Sequence, residues 1–141
     1  MISLLALMMG RYRLSKRQVP QFLWECFGIE MAASTVVNHQ RAISQALAEP
    51  VAELQPYLQQ QPACNIDETG WRQAGQRRRS WLWTVVAGYA TLFRIGPSRS
   101  SQIARALLGE TYPGVAGTDR CSAYTWLTHR QFSWSHLLRD F

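Results

Sequence analysis

Cysteine, acidic side chains and long apolar runs are all scarce in this chain. The three cysteines, Cys26, Cys64 and Cys121, lie far apart and form no Cys-x-x-Cys pair. That excludes a zinc knuckle and a secreted disulfide framework, and each cysteine reads as a small buried hydrophobe in a reducing cytoplasm. The apolar run Ile2 to Met9 is far shorter than the about 20 residues a membrane span needs. No basic stretch precedes it and no small-residue cleavage pattern follows. The expectation is a core-facing helix ended by Gly10 in a cytoplasmic protein without a membrane partner. Nine acidic side chains face fifteen basic ones, a formal charge of +6, which suits a polyanion, nucleic acid before anionic membrane. Ordinary domains carry such an excess too, so charge alone decides nothing. A chain of 141 residues is one domain, or one domain with a small helical appendix.

The first sixty residues read as helical. Lys16 to Phe27 carries Val19, Phe22, Leu23 and Phe27 at helical spacing, with Pro20 tolerable only in the first turn and Gly28 as the breaker. Ser34 or Thr35 can cap a further helix through Val36, Val37, Ile43 and Leu47. Helix, glycine turn and capped helix outline a helix-turn-helix, as they do any small helical bundle. Pro50 to Pro62 is glutamine-rich, with a short helix Val51 to Leu58 and then a linker.

From Ala63 the period changes to that of strands. Ala63 to Asp67 is a first strand, and Ser80 to Ala87, apolar on both faces, is a strand inside a sheet. Gly88-Tyr89-Ala90 turns the chain into Thr91 to Ile95. Ser100 or Ser101 caps a helix with Ile103, Ala104, Leu107 and Leu108 on one face, ended by Gly109. Val115 to Asp119 is a fourth strand and Ser122 to Leu127 a turn or two of helix. Arg130 to Trp134 is a fifth strand, and His136 begins a last helix.

Two stretches carry chemistry. Asn65-Ile66-Asp67-Glu68-Thr69-Gly70-Trp71 brings an apolar run to an acidic pair, then a turn-forming Thr-Gly and a large aromatic. By itself an Asp-Glu pair reads first as a solvated turn. Val115-Ala116-Gly117-Thr118-Asp119 repeats the apolar-to-acid pattern. A carboxylate at the end of a core strand is held on a rigid element. Two carboxylates at ~4 Å repel by about 1 kcal/mol in water and about 4 kcal/mol in a partly buried site, so such a pair shares a proton or binds a cation. Oxygen-only ligation favours Mg²⁺ or Mn²⁺ over zinc.

Asp67-Glu68-Thr69-Gly70-Trp71-Arg72, Trp81-Leu82-Trp83, Thr118-Asp119-Arg120-Cys121-Ser122-Ala123-Tyr124 and Trp134-Ser135-His136-Leu137-Leu138-Arg139 occur in that order. As a set they resemble bacterial insertion-sequence transposases of the DDE class, in the group named for insertion sequence sixty-six, from about Leu4 to Phe141. The resemblance implies an α/β fold: a ribonuclease H-like mixed sheet, incomplete at the C-terminus and preceded by a small helical region. The division would fall at 1–62 and 63–141. Strands one and four would lie side by side, bringing Asp67 and Asp119 together as catalytic and metal-binding acids with Mg²⁺ or Mn²⁺. The partners implied are DNA, as transposon ends and target, and a further copy of this chain or an intact transposase.

The family's third acid is a Glu on a later helix, beyond the His-Leu-Leu-Arg stretch, so the chain is expected to be a fragment, with Met1 an internal start. Its function would be metal-dependent phosphodiester cleavage and strand transfer, with the isolated chain expected to be inactive unless another acid replaces the missing one. The alternative is an inactive DNA-binding remnant or regulator. Asp140 and, less well, Glu110 are the substitutes for the missing acid, while Glu68, next to Asp67 in a strand, points to the opposite face. Trp71, Arg72, Arg77, Arg78, Arg79, Arg99, Arg120, His136 and Arg139 are the candidate DNA contacts, arginine because its fork is bidentate toward phosphate. Trp71 either stacks on an unpaired base or packs under the turn. His136 either faces the scissile phosphate or caps its helix.

Overall fold

The computed structural model describes residues 1–73, 78–134 and 138. Arg77, His136, Arg139 and Asp140, and the helix expected from His136, therefore lie outside the described residues. The chain divides into two compact units, Met1–Pro50 and Val51–Phe141.

The first unit holds three helices, α1 (Ile2–Gly10), α2 (Gln18–Phe27) and α3 (Ala33–Ala46). Leu5 and Met8 of α1, Val19 and Leu23 of α2 and Val36 of α3 form its core. Gly10 is part of α1, and the residue that takes a left-handed backbone is Arg13, at φ 56°. Helix α2 begins on a capping box: Gln18 N–H donates to Ser15 Oγ (3.2 Å) and Ser15 N–H to Gln18 Oε1 (2.9 Å). Gly28 closes α2 at φ 65°, the conformation glycine adopts without a Cβ penalty. Neither Ser34 nor Thr35 caps α3, which starts after Ala32 without a side-chain cap bond. Helix, glycine turn and helix are present as expected, though Phe22 and Phe27 meet on the outside and Cys26 is exposed rather than buried.

In the second unit a five-stranded sheet has the order β3-β2-β1-β4-β5, from β1 (Ala63–Trp71), β2 (Ser80–Ala87), β3 (Ala90–Gly96), β4 (Val115–Thr118) and β5 (Arg130–Phe132). Strands β1, β2 and β3 pair antiparallel, and β1–β4 and β4–β5 pair parallel. This mixed α/β sheet, a meander followed by parallel crossovers, is consistent with the ribonuclease H-like fold expected. Helix α4 (Ala48–Gln59), α5 (Ser101–Leu108) and a 3₁₀ turn (Ser122–Tyr124) supply Leu58, Ala104, Leu107, Leu108, Ala123 and Tyr124 to a core shared with Cys64, Ile66, Trp83 and Val85.

The glutamine-rich stretch is a helix with a structural task. Gln59 Nε2 donates to the carbonyl of Leu107 at 3.0 Å, and Gln55 likewise to Ala106, tying α4 to α5. Strand β2 lies between two neighbours, but Trp83 and Val85 are buried while Val86 on the other face is exposed. Two-sided apolarity reported an interior strand correctly; only one face is covered by the described residues.

Candidate active site

Strand β1 extends beyond the expected end. Thr69 and Gly70 are not a turn; they pair with Leu82 and Trp81 of β2. A methyl group on Gly70 would collide with the guanidinium of Arg79, so the missing side chain makes room for that arginine. The parallel pairing of β1 with β4 covers Ala63↔Val115 to Asn65↔Gly117. Asp67 and Asp119 each stand two residues past the last of these pairs, at the same level and with the same parity. Both line one cavity of about 400 Å³, with Asn65, Gln131, Ser133 and Trp134. Crossover topology thus brings the two sequence-distant acids to one pocket at the carboxyl end of the parallel strands, where open α/β sheets bind ligands.

Alternation along β1 separates the acidic pair. Cys64, Ile66 and Glu68 are buried, whereas Asn65, Asp67 and Thr69 are exposed. The side chain of Asp67 accepts no hydrogen bond among the described residues, so both of its oxygens are available. Asp119 is held at both oxygens: Cys121 N–H donates to Oδ1 at 2.8 Å and Arg99 Nη2 to Oδ2 at 3.0 Å. Each of those oxygens keeps a second lone pair. Two carboxylates, one open and one pre-aimed, are a donor set suited to a hard divalent cation.

Glu68 was expected to face away from Asp67, and it does. Its further role was not legible. Its side chain is fully buried and accepts from Arg99 Nε at one oxygen and from the Tyr124 hydroxyl at the other. Burial pushes its carboxyl above the ordinary value, and the hydrogen bond and charge of Arg99 pull the other way without cancelling that rise. Arg99 is in turn held charged, chiefly by its bond to Glu68. The loop that carries Arg99 is fixed by Trp83, whose indole N–H donates to the carbonyl of Ser98 at 3.2 Å. The signal in the sequence was an acid on the apolar side of a core strand, which must find a cation or a donor. Glu68, Asp119 and Cys121 offer ligand atoms within 4.8 Å of one another.

The basic candidates separate. Arg72, Arg78 and Arg79 are exposed beside the end of β1, and Arg79 stacks over Trp81 at 5.1 Å. Arg120 is exposed next to Asp119. Arg99 turns donors inward to Glu68 and Asp119. Trp71 is 42% exposed and outside the core, so it does not pack under a turn. Glu110 pairs with Arg105 at 2.9 Å on the surface, away from the pocket of the two aspartates.

A family model described as "Transposase IS66 family" matches residues 5–141. The chain belongs to that transposase family. No curated protein sequence matches it. Family membership carries an implied use of DNA and of a divalent metal. Among the described residues no helix is long and apolar enough to cross a membrane.

Proposed function

We propose that this chain acts in DNA transposition, through metal-dependent cleavage and strand transfer of phosphodiesters at transposon ends. Asp67 and Asp119 would hold Mg²⁺ or Mn²⁺. The observation that carries this reading is the shared pocket of the two acids at the end of the β1–β4 pair. The bound ion would supply Lewis-acid activation of the attacking oxygen and stabilisation of the leaving one. The chain's own residues do the rest. Asp119 is aimed by the Cys121 amide and Arg99, so its carboxylate needs no reorganisation when a cation arrives. Asp67 supplies open oxygens from a rigid strand. Exposed Arg72, Arg78, Arg79 and Arg120 would hold backbone phosphates of transposon end and target, with Trp71 available for a splayed base. The catalytic core would begin at residue 63, after a helical region that is not assigned a sequence-reading task, and the protein would work in the cytoplasm, with itself or an intact transposase as partner.

A second reading, a DNA-binding regulator without cleavage activity, is favoured by one observation. Among the described residues, the three-ligand group containing Asp119 includes Glu68 and Cys121 but not Asp67. An end-cleavage assay on a labelled transposon terminus with Mn²⁺ separates the two. The enzyme reading expects cutting that Asp67→Asn and Asp119→Asn each abolish. DNA binding without cutting, unchanged by either substitution, selects the regulator.

A further inference from the structure

Arg99 stands where a cation would stand. Glu68, Asp119 and Cys121 converge to within 4.8 Å, and the guanidinium touches two of the three, Glu68 through Nε and Asp119 through Nη2. Glu68 cannot turn to solvent, being fully buried and held by Tyr124. Arg99 cannot drift far either, because the indole of Trp83 grips the neighbouring carbonyl of Ser98. Asp119 therefore sits between two possible cation positions. One is on the open face with Asp67; the other is on the covered face with Glu68 and Cys121, and Arg99 fills it.

We propose that Arg99 is a resident cation that closes the Glu68–Asp119–Cys121 cluster and so confines an exchangeable metal ion to the Asp67 side of Asp119. The inference rests on the metal-binding reading given above and assigns Arg99 and Glu68 as positioning residues for that site. The charge balance is the physical reason. Glu68 offsets the charge of Arg99, so the pair can hold the Asp119 carboxylate without presenting a net positive charge to an incoming cation. Without Arg99, a buried carboxylate, a second carboxylate and a thiol would be left converging without the charge that Arg99 supplies. That set takes a divalent ion, and the thiol favours a soft one.

The test uses the full chain and metal ions alone. Binding of Mn²⁺ is followed through the electron paramagnetic resonance signal of the free ion, and Cd²⁺ is added separately to report thiolate ligation by its ultraviolet charge-transfer band. The wild-type chain is expected to bind Mn²⁺ in an Asp67-dependent way and to show no Cd²⁺–thiolate band from Cys121. Arg99→Gln is expected to gain that band, to lose it again with Cys121→Ser added, and to bind Mn²⁺ even when Asp67→Asn is present. If Arg99→Gln gains no band and its binding still requires Asp67, the inference is overturned while the metal reading stands. If the wild-type chain binds no Mn²⁺, or binds it equally with Asp67→Asn, both fall. Circular dichroism checks folding. Should Arg99→Gln not fold, Glu68→Gln decides: it leaves the Arg99 charge unbalanced beside Asp119, so Mn²⁺ should bind at least about tenfold more weakly, and unchanged affinity would overturn the proposal.

Discussion

Trp83 and Tyr124 meet edge to face, with ring centroids 6.2 Å apart and planes at 78°. Both are fully buried, and each also has a polar partner, Ser98 for the indole and Glu68 for the phenol. Truncating Trp83 to alanine should cost about 3–5 kcal/mol, the usual range for a large core aromatic. Trp83→Phe keeps an aromatic edge but drops the bond to Ser98, which should add about 1 kcal/mol to the packing loss. Urea denaturation followed by far-ultraviolet circular dichroism measures both. A Trp83→Ala loss below about 1 kcal/mol would contradict this account of the core.

Gly114 is needed for a different reason. A Cβ there would stand 2.6 Å from the carbonyl oxygen of Gln61 and 2.7 Å from that of Pro62. These two obstacles are backbone, a third is the Tyr112 hydroxyl at 2.7 Å, and Val115 N–H donates to the Pro62 carbonyl at 2.9 Å. Gly114→Ala should therefore destabilise by about 1–3 kcal/mol through overpacking and speed hydrogen exchange at Val115. Unaltered exchange at that amide would show that the approach is looser than described.

Alkaline pH should weaken the second unit. Burial is the main cause holding the Cys64 thiol above its ordinary 9.0 and the Tyr112 phenol above its ordinary 10.0. Both groups are ionised more easily in the unfolded chain than in the folded one. Between the unfolded and folded values the native state binds more protons, so stability falls as pH rises. The contribution is complete below about pH 9 and is lost above it. Melting temperature should drop on going from about pH 8 to 10.5, less steeply in Tyr112→Phe. Equal slopes in the two chains would remove Tyr112 from the explanation.

If the exposed arginines beside β1 contact duplex phosphates, log affinity for DNA falls with log salt at about 0.9 per contact. Replacing Arg72, Arg78 and Arg79 together by alanine should then flatten the slope by up to about 2.7. Fluorescence anisotropy across a salt series reads it directly, and an unchanged slope would return these residues to an ordinary solvated surface.

Much of this was legible in the chain because strand and helix periods are local. Ser80–Ala87 was bounded correctly by its alternation, and the helix before Gly109 was placed by its apolar face, although Ser100 at its start makes no side-chain cap bond. Pairing is not local, and there the sequence was mute. Thr69-Gly70 has turn composition, yet β2 offers partners for both residues, so β1 runs through to Trp71. The helix expected over Val51 to Leu58 runs longer, from Ala48 to Gln59, and its glutamines are fixed by α5. At the site, the placement of Asp67 and Asp119 followed from strand ends and the resemblance. The Tyr124–Glu68–Arg99 contacts depend on which side chains a distant loop and 3₁₀ turn bring under β1, and no spacing rule encodes that.

The two ladders of β1 also set an order of assembly. Its pairing with β2 closes over a short hairpin, and β2–β3 over a shorter one, so the meander belongs to the fast, low-contact-order part of folding. Pairing with β4 must wait for α5 to be made and crossed over the sheet, at a higher loop-closure cost. On this ground Asp67 is expected to be in place early and Asp119 late. During synthesis the strand bearing the first acid would already be structured while the second was still being added, and the nascent chain could hold no metal between them. Competence for chemistry would arrive only with that long-range pairing, after the meander is already made.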